Sequence, residues 1–142
     1  MKAAAIHLTA IALLAVASTA AASDLARSEL DLQSAHAARL QQHGSGNRLL
    51  VQQAGRGQRF SGSQTGVANQ GSLQQTGADN FSDMQQAGVD NHAGILQAGV
   101  GNVAVVRQEG NGNTVRIEQR GNGASARITQ LGDGKKATIT QH

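Results

Sequence analysis

The sequence predicts an all-β fold: an amyloid-like β-solenoid of five 22-residue rungs, in which two parallel sheets face each other. Three observations support this prediction. Glutamine recurs at every eleventh position from Gln42 to Gln141 without an insertion. Glycine lies two positions after the glutamine of each complete unit. The chain has no proline, as expected of a backbone that donates nearly all its N–H groups to sheet hydrogen bonds.

The segment before the repeats has a different character. Residues 1–22 begin with a positive charge, continue as an apolar run and end in small residues, which is the pattern of a secretory signal peptide. A buried N-terminal helix is the alternative. Residues 23–36 do not follow the repeat, and an isolated helix of this length is marginal in water. We expect a flexible leader there, either recognised by an export machinery or without a role of its own.

Residues 37–142 repeat an eleven-residue strand–turn unit. When the glutamine is numbered zero, position five is usually Asn, position seven small and position nine large and apolar. These positions and the next glutamine share one parity, so they lie on one face of a strand and face the core. The other parity carries many charged residues and faces water. The predicted strands are 37–42, 48–53, 59–64, 70–75, 81–86, 92–97, 103–108, 114–119, 125–130 and 136–141.

Stacked rungs place each residue over its counterpart in the next rung, which predicts columns of identical amides. In a column, each amide donates to one neighbour and accepts from the other, so burial does not incur the roughly 1–3 kcal/mol of an unsatisfied group. Such ladders also hold the register. The predicted ladder residues are Gln42, Gln53, Gln64, Gln75, Gln86, Gln97, Gln108, Gln119, Gln130, Gln141, Asn47, Asn69, Asn80, Asn91, Asn102 and Asn113.

Each predicted turn contains a glycine where we expect a positive φ. The turn spans about five positions, often holds a second glycine, and ends in an Asn, which tolerates left-handed geometry. The predicted turn glycines are Gly44, Gly55, Gly66, Gly77, Gly88, Gly99, Gly110, Gly121 and Gly132.

Composition argues against several classes of function. The chain has no cysteine, so it has neither disulfides nor thiolate metal sites. Its formal net charge is +3, and two Phe are its only aromatic residues, so a nucleic-acid groove with clustered cations and stacking rings is not predicted. The histidines show no ligand spacing. We therefore predict no enzyme, no cofactor, no metal site and no transmembrane segment.

Charge is distributed unevenly along the repeats. Asp79, Asp83 and Asp90 concentrate negative charge in the middle of the stack. Copies carrying like charges would oppose stacking, so these residues are candidate gatekeepers; a contribution to solubility alone is the alternative.

The final repeat, residues 125–142, is basic. It carries Arg127, Lys135 and Lys136, and Lys135 occupies position five, where an ammonium cannot both donate and accept along a column. We predict that this rung adds identical subunits poorly and that its cations dock a surface partner.

The pattern Q-x-G-x-x-N-x-A-x-x-x-Q occurs unbroken at 86–97 and again at 97–108. It resembles the curlin repeat, and the resemblance covers residues 37–142. It implies a curli fibre subunit: a secreted structural protein of a functional amyloid pilus or fimbrium, which serves cell adhesion and biofilm matrix. The implied partners are further copies and a major curlin subunit stacked end to end, the outer-membrane export pore, and accessory or anchor proteins.

Two features resemble the minor, nucleating curlin subunit. The glycine turn recurs in every half-rung, whereas major-type repeats usually have it once in a full rung. The final repeat is basic and lacks Asn at position five. A major, bulk subunit and a monomeric cell-surface binding solenoid are the alternatives. The chain departs from the family pattern at Gln58, Gly62 and Gly71, where we expect a looser second rung.

Overall fold

The computed structural model describes residues 15–18, 25–30 and 36–142, with side chains from residue 36 onward. All regular structure in these residues is β, and the predicted solenoid of two facing parallel sheets is confirmed. The strands are β1 (Ala15–Ser18), β2 (Leu25–Leu30), β3 (Ala37–Ser45), β4 (Arg48–Arg56), β5 (Arg59–Val67), β6 (Gln70–Ala78), β7 (Phe81–Val89), β8 (His92–Val100), β9 (Val103–Asn111), β10 (Thr114–Asn122), β11 (Ser125–Leu131) and β12 (Lys136–Gln141).

The strands alternate between the sheets. Sheet 1 has the order β1-β3-β5-β7-β9-β11, and sheet 2 has the order β12-β10-β8-β6-β4-β2. From β3 onward every pairing is parallel and follows a 22-residue register, which pairs Ile95 with Ile117 and Gln86 with Gln108. One odd-numbered strand and the next even-numbered strand form a rung, so residues 37–142 make five rungs, as the period predicts.

The strands are longer than predicted. The expectation of six residues is wrong for β3 to β10, which have nine residues each. The reason lies at the turn glycine, which keeps its place in the sheet: Gly88 has a φ of 121° and still pairs with Gly66 and Gly110. A Cβ at Gly88 would lie 2.0 Å from the carbonyl oxygen of Gly110, so stacking as well as φ requires glycine.

The core is a thin layer between the sheets. The small position-seven residues, such as Ala93 and Ala104, and the large position-nine residues, such as Ile95 and Val106, are buried there. Because the space between the sheets is densely packed, a large side chain at position nine usually leaves room for only a small one at position seven.

The second rung compensates for one large side chain with two small ones. Phe60 is 4% exposed, and a Cβ added at Gly62 would lie 2.7 Å from its ring. A Cβ at Gly71 would lie 2.5 Å from Leu49 and 2.7 Å from Met84. The departures from the repeat at these positions therefore conserve core volume.

The two N-terminal strands do not continue the 22-residue register. Ala15 of β1 pairs with Arg39 of β3, and Leu25 of β2 pairs with Arg48 of β4. The pairing is therefore displaced by two positions in β1 and by one position in β2.

The predicted signal peptide and leader fall largely outside the described residues. Of residues 1–22 only β1 is described, and of residues 23–36 only β2 and His36. Cleavage of the signal peptide and the role of the leader stay predictions.

Candidate assembly site: side-chain ladders and the ends of the stack

The glutamines form two continuous hydrogen-bonded columns inside the solenoid. In each contact, Nε2 of one glutamine donates to Oε1 of its counterpart in the next rung. The column on the sheet 1 strands joins Gln42, Gln64, Gln86, Gln108 and Gln130 at 2.7–2.9 Å. The column on the sheet 2 strands joins Gln53, Gln75, Gln97, Gln119 and Gln141 at 2.6–2.9 Å. Both columns therefore have the same direction, with donors pointing toward the C-terminal rung.

The same amides also join the two sheets. Gln86 Nε2 donates to the carbonyl oxygen of Gln70 at 3.0 Å, and Gln108 Nε2 donates to that of His92 at 3.1 Å. In both cases the acceptor lies 16 residues earlier, on the opposite sheet. Glutamine thus has the length to satisfy a neighbour in its own column and a backbone carbonyl across the core.

The asparagines also form columns, which run the other way and use the backbone. Side-chain bonds join Asn47, Asn69, Asn91 and Asn113, whereas Asn80 is joined to Asn102 only through the backbone N–H of Asn102. Asn91 Oδ1 accepts from Asn113 N at 3.1 Å and from Asn113 Nδ2 at 3.0 Å. Asn91 Nδ2 donates to Asn69 Oδ1 at 3.0 Å and to the carbonyl oxygen of Gly110 at 2.7 Å. The sequence predicts Asn columns that work like the Gln columns. In the structure each Asn also accepts from the backbone N–H of its counterpart in the next rung and donates to the carbonyl oxygen of a turn glycine.

Two buried acceptors in the first rungs have no partner in the described part of the chain. They are Oε1 of Gln53 and Oε1 of Gln58, whose residues are 3% and 0% exposed. Gln58 takes the place of a column Asn: its Nε2 donates to the carbonyl oxygen of Ala54 at 3.1 Å, as an Asn would. Its oxygen, however, does not reach Asn80 in the next rung. Sequence reasoning noted Gln58 as a departure but did not identify this orphaned acceptor.

The Asn columns stop at the C-terminal rung. The backbone N–H groups of Ala124 and Lys135 donate to Asn102 and Asn113 at 2.9 and 3.0 Å. Neither side chain offers an oxygen to a further rung. The candidate docking residues Arg127, Lys135 and Lys136 are all exposed in this rung.

The outer edges of the last strands, β11 and β12, pair with no strand of the described chain. Gln141 Nε2 donates to the carbonyl oxygen of Ser125 at 3.2 Å, and Gln141 Oε1 accepts from Gln119 Nε2 at 2.8 Å, so one N–H of the amide has no acceptor in the described chain. The last rung therefore carries both a sheet edge and glutamine donors.

The predicted turn glycines all have positive φ, between 97° and 129°. The residue two positions later also has a positive φ, and it is usually glycine. At this second site the chain has Ala68, Asp79 and Asp90, each with a φ of 56°. Left-handed geometry is unfavourable for these side chains.

The three candidate gatekeepers do not form one cluster. Asp79 lies in the turn between β6 and β7, and Asp90 lies in the turn between β7 and β8, at the opposite edge of the sheets. Asp83 lies on the outer face of sheet 1, where it accepts a hydrogen bond from Gln85 Nε2 at 3.2 Å.

Ion pairs lie on the outer faces of both sheets. On sheet 1, Arg107 pairs with Glu109. On sheet 2, Glu118 contacts Arg116 at 3.4 Å and Arg120 at 2.6 Å. Burial raises the pKa of Glu118, but hydrogen bonds and charge from both arginines outweigh it and hold that pKa below its ordinary value of 4.5.

Neither a metal centre nor a membrane-spanning helix is found among the described residues. No group of three or more His, Asp or Glu side chains there could hold a metal ion. No helix in this part of the chain has the length and apolar character needed to cross a bilayer.

Comparison with models of known families matched the curlin associated repeat at residues 88–121 and 110–142. The matched residues lie in the third to fifth rungs and include the C-terminal part of both Gln columns, from Gln97 onward, and the point where the Asn columns stop. No curated protein and no solved structure matched the chain.

Proposed function

Because the chain belongs to the curlin family, we propose that it is a secreted structural subunit of a curli-type functional amyloid fibre, with cell adhesion and biofilm matrix as the role of the fibre. One observation carries the proposal. The Gln columns run unbroken through five rungs and reach, at the C-terminal rung, the edges of β11 and β12 that pair with no strand of the described chain. An unpaired sheet edge is a template for another chain.

The direction of the columns favours stacking of the C-terminal rung of one copy on the first rung of the next. Gln141 offers an N–H donor at one end, and Gln53 Oε1 is a buried acceptor without a partner at the other end of the described stack. β2 pairs with β4 at that end, but one position out of the register that continues the column. A second copy that replaced β1 and β2 would restore the 22-residue register and give Gln53 its donor.

We further propose that the chain is the minor, nucleating subunit, exported through an outer-membrane pore and held at the cell surface. Support comes from the last rung, where the Asn columns stop at Ala124 and Lys135. This rung templates identical copies less completely than an inner rung, and its exposed cations suit an anchor or accessory protein. The unbroken Gln columns favour the alternative, a major subunit.

Deletion of residues 125–142 tests this proposal. We expect the remaining rungs to self-assemble, while the protein and any fibres it seeds leave the cell surface; cell fractionation measures the release. The matched variant combines Ala124→Asn with Lys135→Asn and keeps the rung while completing its Asn columns. If fibres of the truncated chain stay attached and only their yield falls, the last rung is ordinary core and the chain is a bulk subunit.

Seeding separates a fibre subunit from a monomeric binding solenoid. Preformed assemblies of the purified chain should remove the lag phase of fresh protein. A lag that persists at every seed concentration would refute the fibre proposal itself, whatever the result of the truncation.

A further inference from the structure

The outer face of sheet 1 presents one exposed aromatic ring. Phe81 begins β7 and is 39% exposed, whereas Phe60, the other aromatic residue of the chain, is buried. Val103 pairs with Phe81 in the next rung and is half-buried, so apolar surface continues below the ring. An aromatic side chain on a polar face is a frequent anchor of protein contacts.

The outer face of sheet 2 contains a groove that is partly lined by apolar side chains, as the surface around Phe81 is. Its floor is formed by Ser72 and Gly94, which pair with each other in neighbouring rungs. Leu50 and Arg116 close the two ends, Leu96 lies on one side, and the groove has a volume of about 320 Å³. We call this the sheet 2 groove.

Gly94 is an unstrained position that leaves the groove open. A Cβ added there would meet only Ser72 Oγ at 3.6 Å and a backbone oxygen of β10 at 4.0 Å, both ordinary contacts. Neither φ nor stacking therefore requires glycine at this site, in contrast to the turn glycines. The missing side chain makes room on the surface.

The ring and the groove lie at the same height in the stack. Phe81 and Gly94 belong to β7 and β8, the two strands of the third rung, on opposite outer faces. A copy shifted sideways without rotation can therefore bring its Phe81 over Gly94 of its neighbour while the two stacks stay level.

A carboxylate beside the ring and a guanidinium beside the groove have opposite charges in this arrangement. Strands of the two sheets run in opposite directions, so Asp83, two residues after Phe81, comes over His92, two residues before Gly94. Arg116 pairs with Gly94 in the next rung and supplies positive charge on this face; within its own copy it contacts Glu118 at 3.4 Å. The opposite charges of the Asp83 carboxylate and the Arg116 guanidinium favour this partner and this register.

We propose that copies of this chain associate side by side, with Phe81 of one copy seated between Ser72 and Gly94 of the next. The contact joins two different faces, so it continues sideways instead of closing as a symmetric dimer. A single contact is small. In fibres, whose existence rests on the proposed function, the contact repeats along two adjacent fibres. The many weak contacts then add up to a strong lateral interaction.

Two variants and their mixture test the contact in fibres. Phe81→Ser removes the ring and keeps the groove; Gly94→Gln fills the groove and keeps the ring. By electron microscopy, each variant alone should form single filaments, whereas the wild type should form lateral bundles. The mixture should form pairs joined through the one intact contact. Wild-type bundling by either variant alone would overturn the proposal, and thioflavin kinetics report whether axial growth is intact.

Cross-linking tests the same contact without requiring fibres. The chain has no cysteine, so Phe81→Cys and Gly94→Cys introduce single thiols on opposite faces of different copies. Mild oxidation of the mixture should give a disulfide-linked dimer. The control mixes Phe81→Cys with Thr138→Cys, whose thiol lies on the same outer face as Gly94 but in the last rung, and it should give less dimer. Equal yields would refute side-by-side pairing. Dimers without any fibre formation would refute only the fibre function.

Discussion

Replacement of Gln58 by Asn should stabilise the solenoid. At the equivalent place one rung later, Asn80 Oδ1 accepts from the backbone N–H of Asn102 at 3.0 Å. Gln58 keeps the donor half of this arrangement, with Nε2 bound to Ala54, but its Oε1 is buried without a partner in the described chain. The shorter Asn side chain places its oxygen where the N–H of Asn80 can reach it.

The magnitude follows from two opposing effects. Supplying a partner to a buried acceptor recovers roughly 1–3 kcal/mol. Removing one buried methylene costs about 0.8 kcal/mol. The net gain for Gln58→Asn is then about 1 kcal/mol. With a guanidinium m value of about 4 kcal/mol/M, this corresponds to a rise of about 0.3 M in the denaturation midpoint.

Guanidinium denaturation of the purified chain, followed by far-UV circular dichroism, measures this midpoint. Asn80→Gln is the matched control, because it creates the same orphaned acceptor one rung later and should lower the midpoint. If Asn80→Gln is destabilising but Gln58→Asn leaves the midpoint unchanged or lowers it, the oxygen of Gln58 is not the defect that we infer.

The remaining predictions concern a turn, a pair of acidic residues and an ion pair. Gly88→Ala should cost about 3 kcal/mol or more, because φ is positive and the new Cβ would come 2.0 Å from a carbonyl oxygen of the next rung. Gly94→Ala is its control, and equal denaturation midpoints would contradict the argument. Asp83→Asn combined with Asp90→Asn should shorten the lag of fibre formation; an unchanged lag at matched concentration and salt rejects the gatekeeper role. Because the pKa of Glu118 is lowered, the stability from its charge is present above pH 4.5 and lost as pH falls through the lowered pKa. Denaturation midpoints across this range should fall less for Glu118→Gln than for the wild type, and parallel curves would show that the ion pair contributes nothing.

The fold class could be predicted because one period controls both the backbone and the core. Glutamine at every eleventh position fixes the alternation between sheets, and side-chain parity then assigns residues such as Ile95 and Arg107 to inner and outer faces. Strand length could not be obtained in this way. Glycine usually marks the end of a strand, whereas Gly88 turns the chain while it remains paired in the sheet.

The direction of the hydrogen bonds in the ladders could not be predicted from the sequence either. A column of amides can run either way, and the choice depends on which backbone groups lie beside it. Gln86 meets a carbonyl on the opposite sheet, and Asn91 meets a turn carbonyl and the next backbone N–H. These neighbours are 16 to 22 residues away in the chain, so only the folded rung shows them.

The groove on sheet 2 was not predicted, for a different reason. Ser72 and Gly94 look ordinary in separate repeats, and they become neighbours only through the 22-residue register. Outward residues form columns at 22-residue intervals just as inward ones do. The two small residues at the floor of the groove could therefore have been found by comparing outward positions 22 residues apart. The exposed Phe81 was likewise visible as an outward position.

The constant 22-residue register also determines how the length of the chain can change during evolution. After gain or loss of a whole rung, every inward and outward column is still continuous across the point of insertion or deletion. A change of half a rung preserves the Gln and turn-glycine spacing but moves all later strands to the other sheet, exchanging their outward surfaces. Other lengths interrupt the columns. Duplication and deletion can therefore alter the number of rungs, and with it the height of the stack, while the columns keep their register.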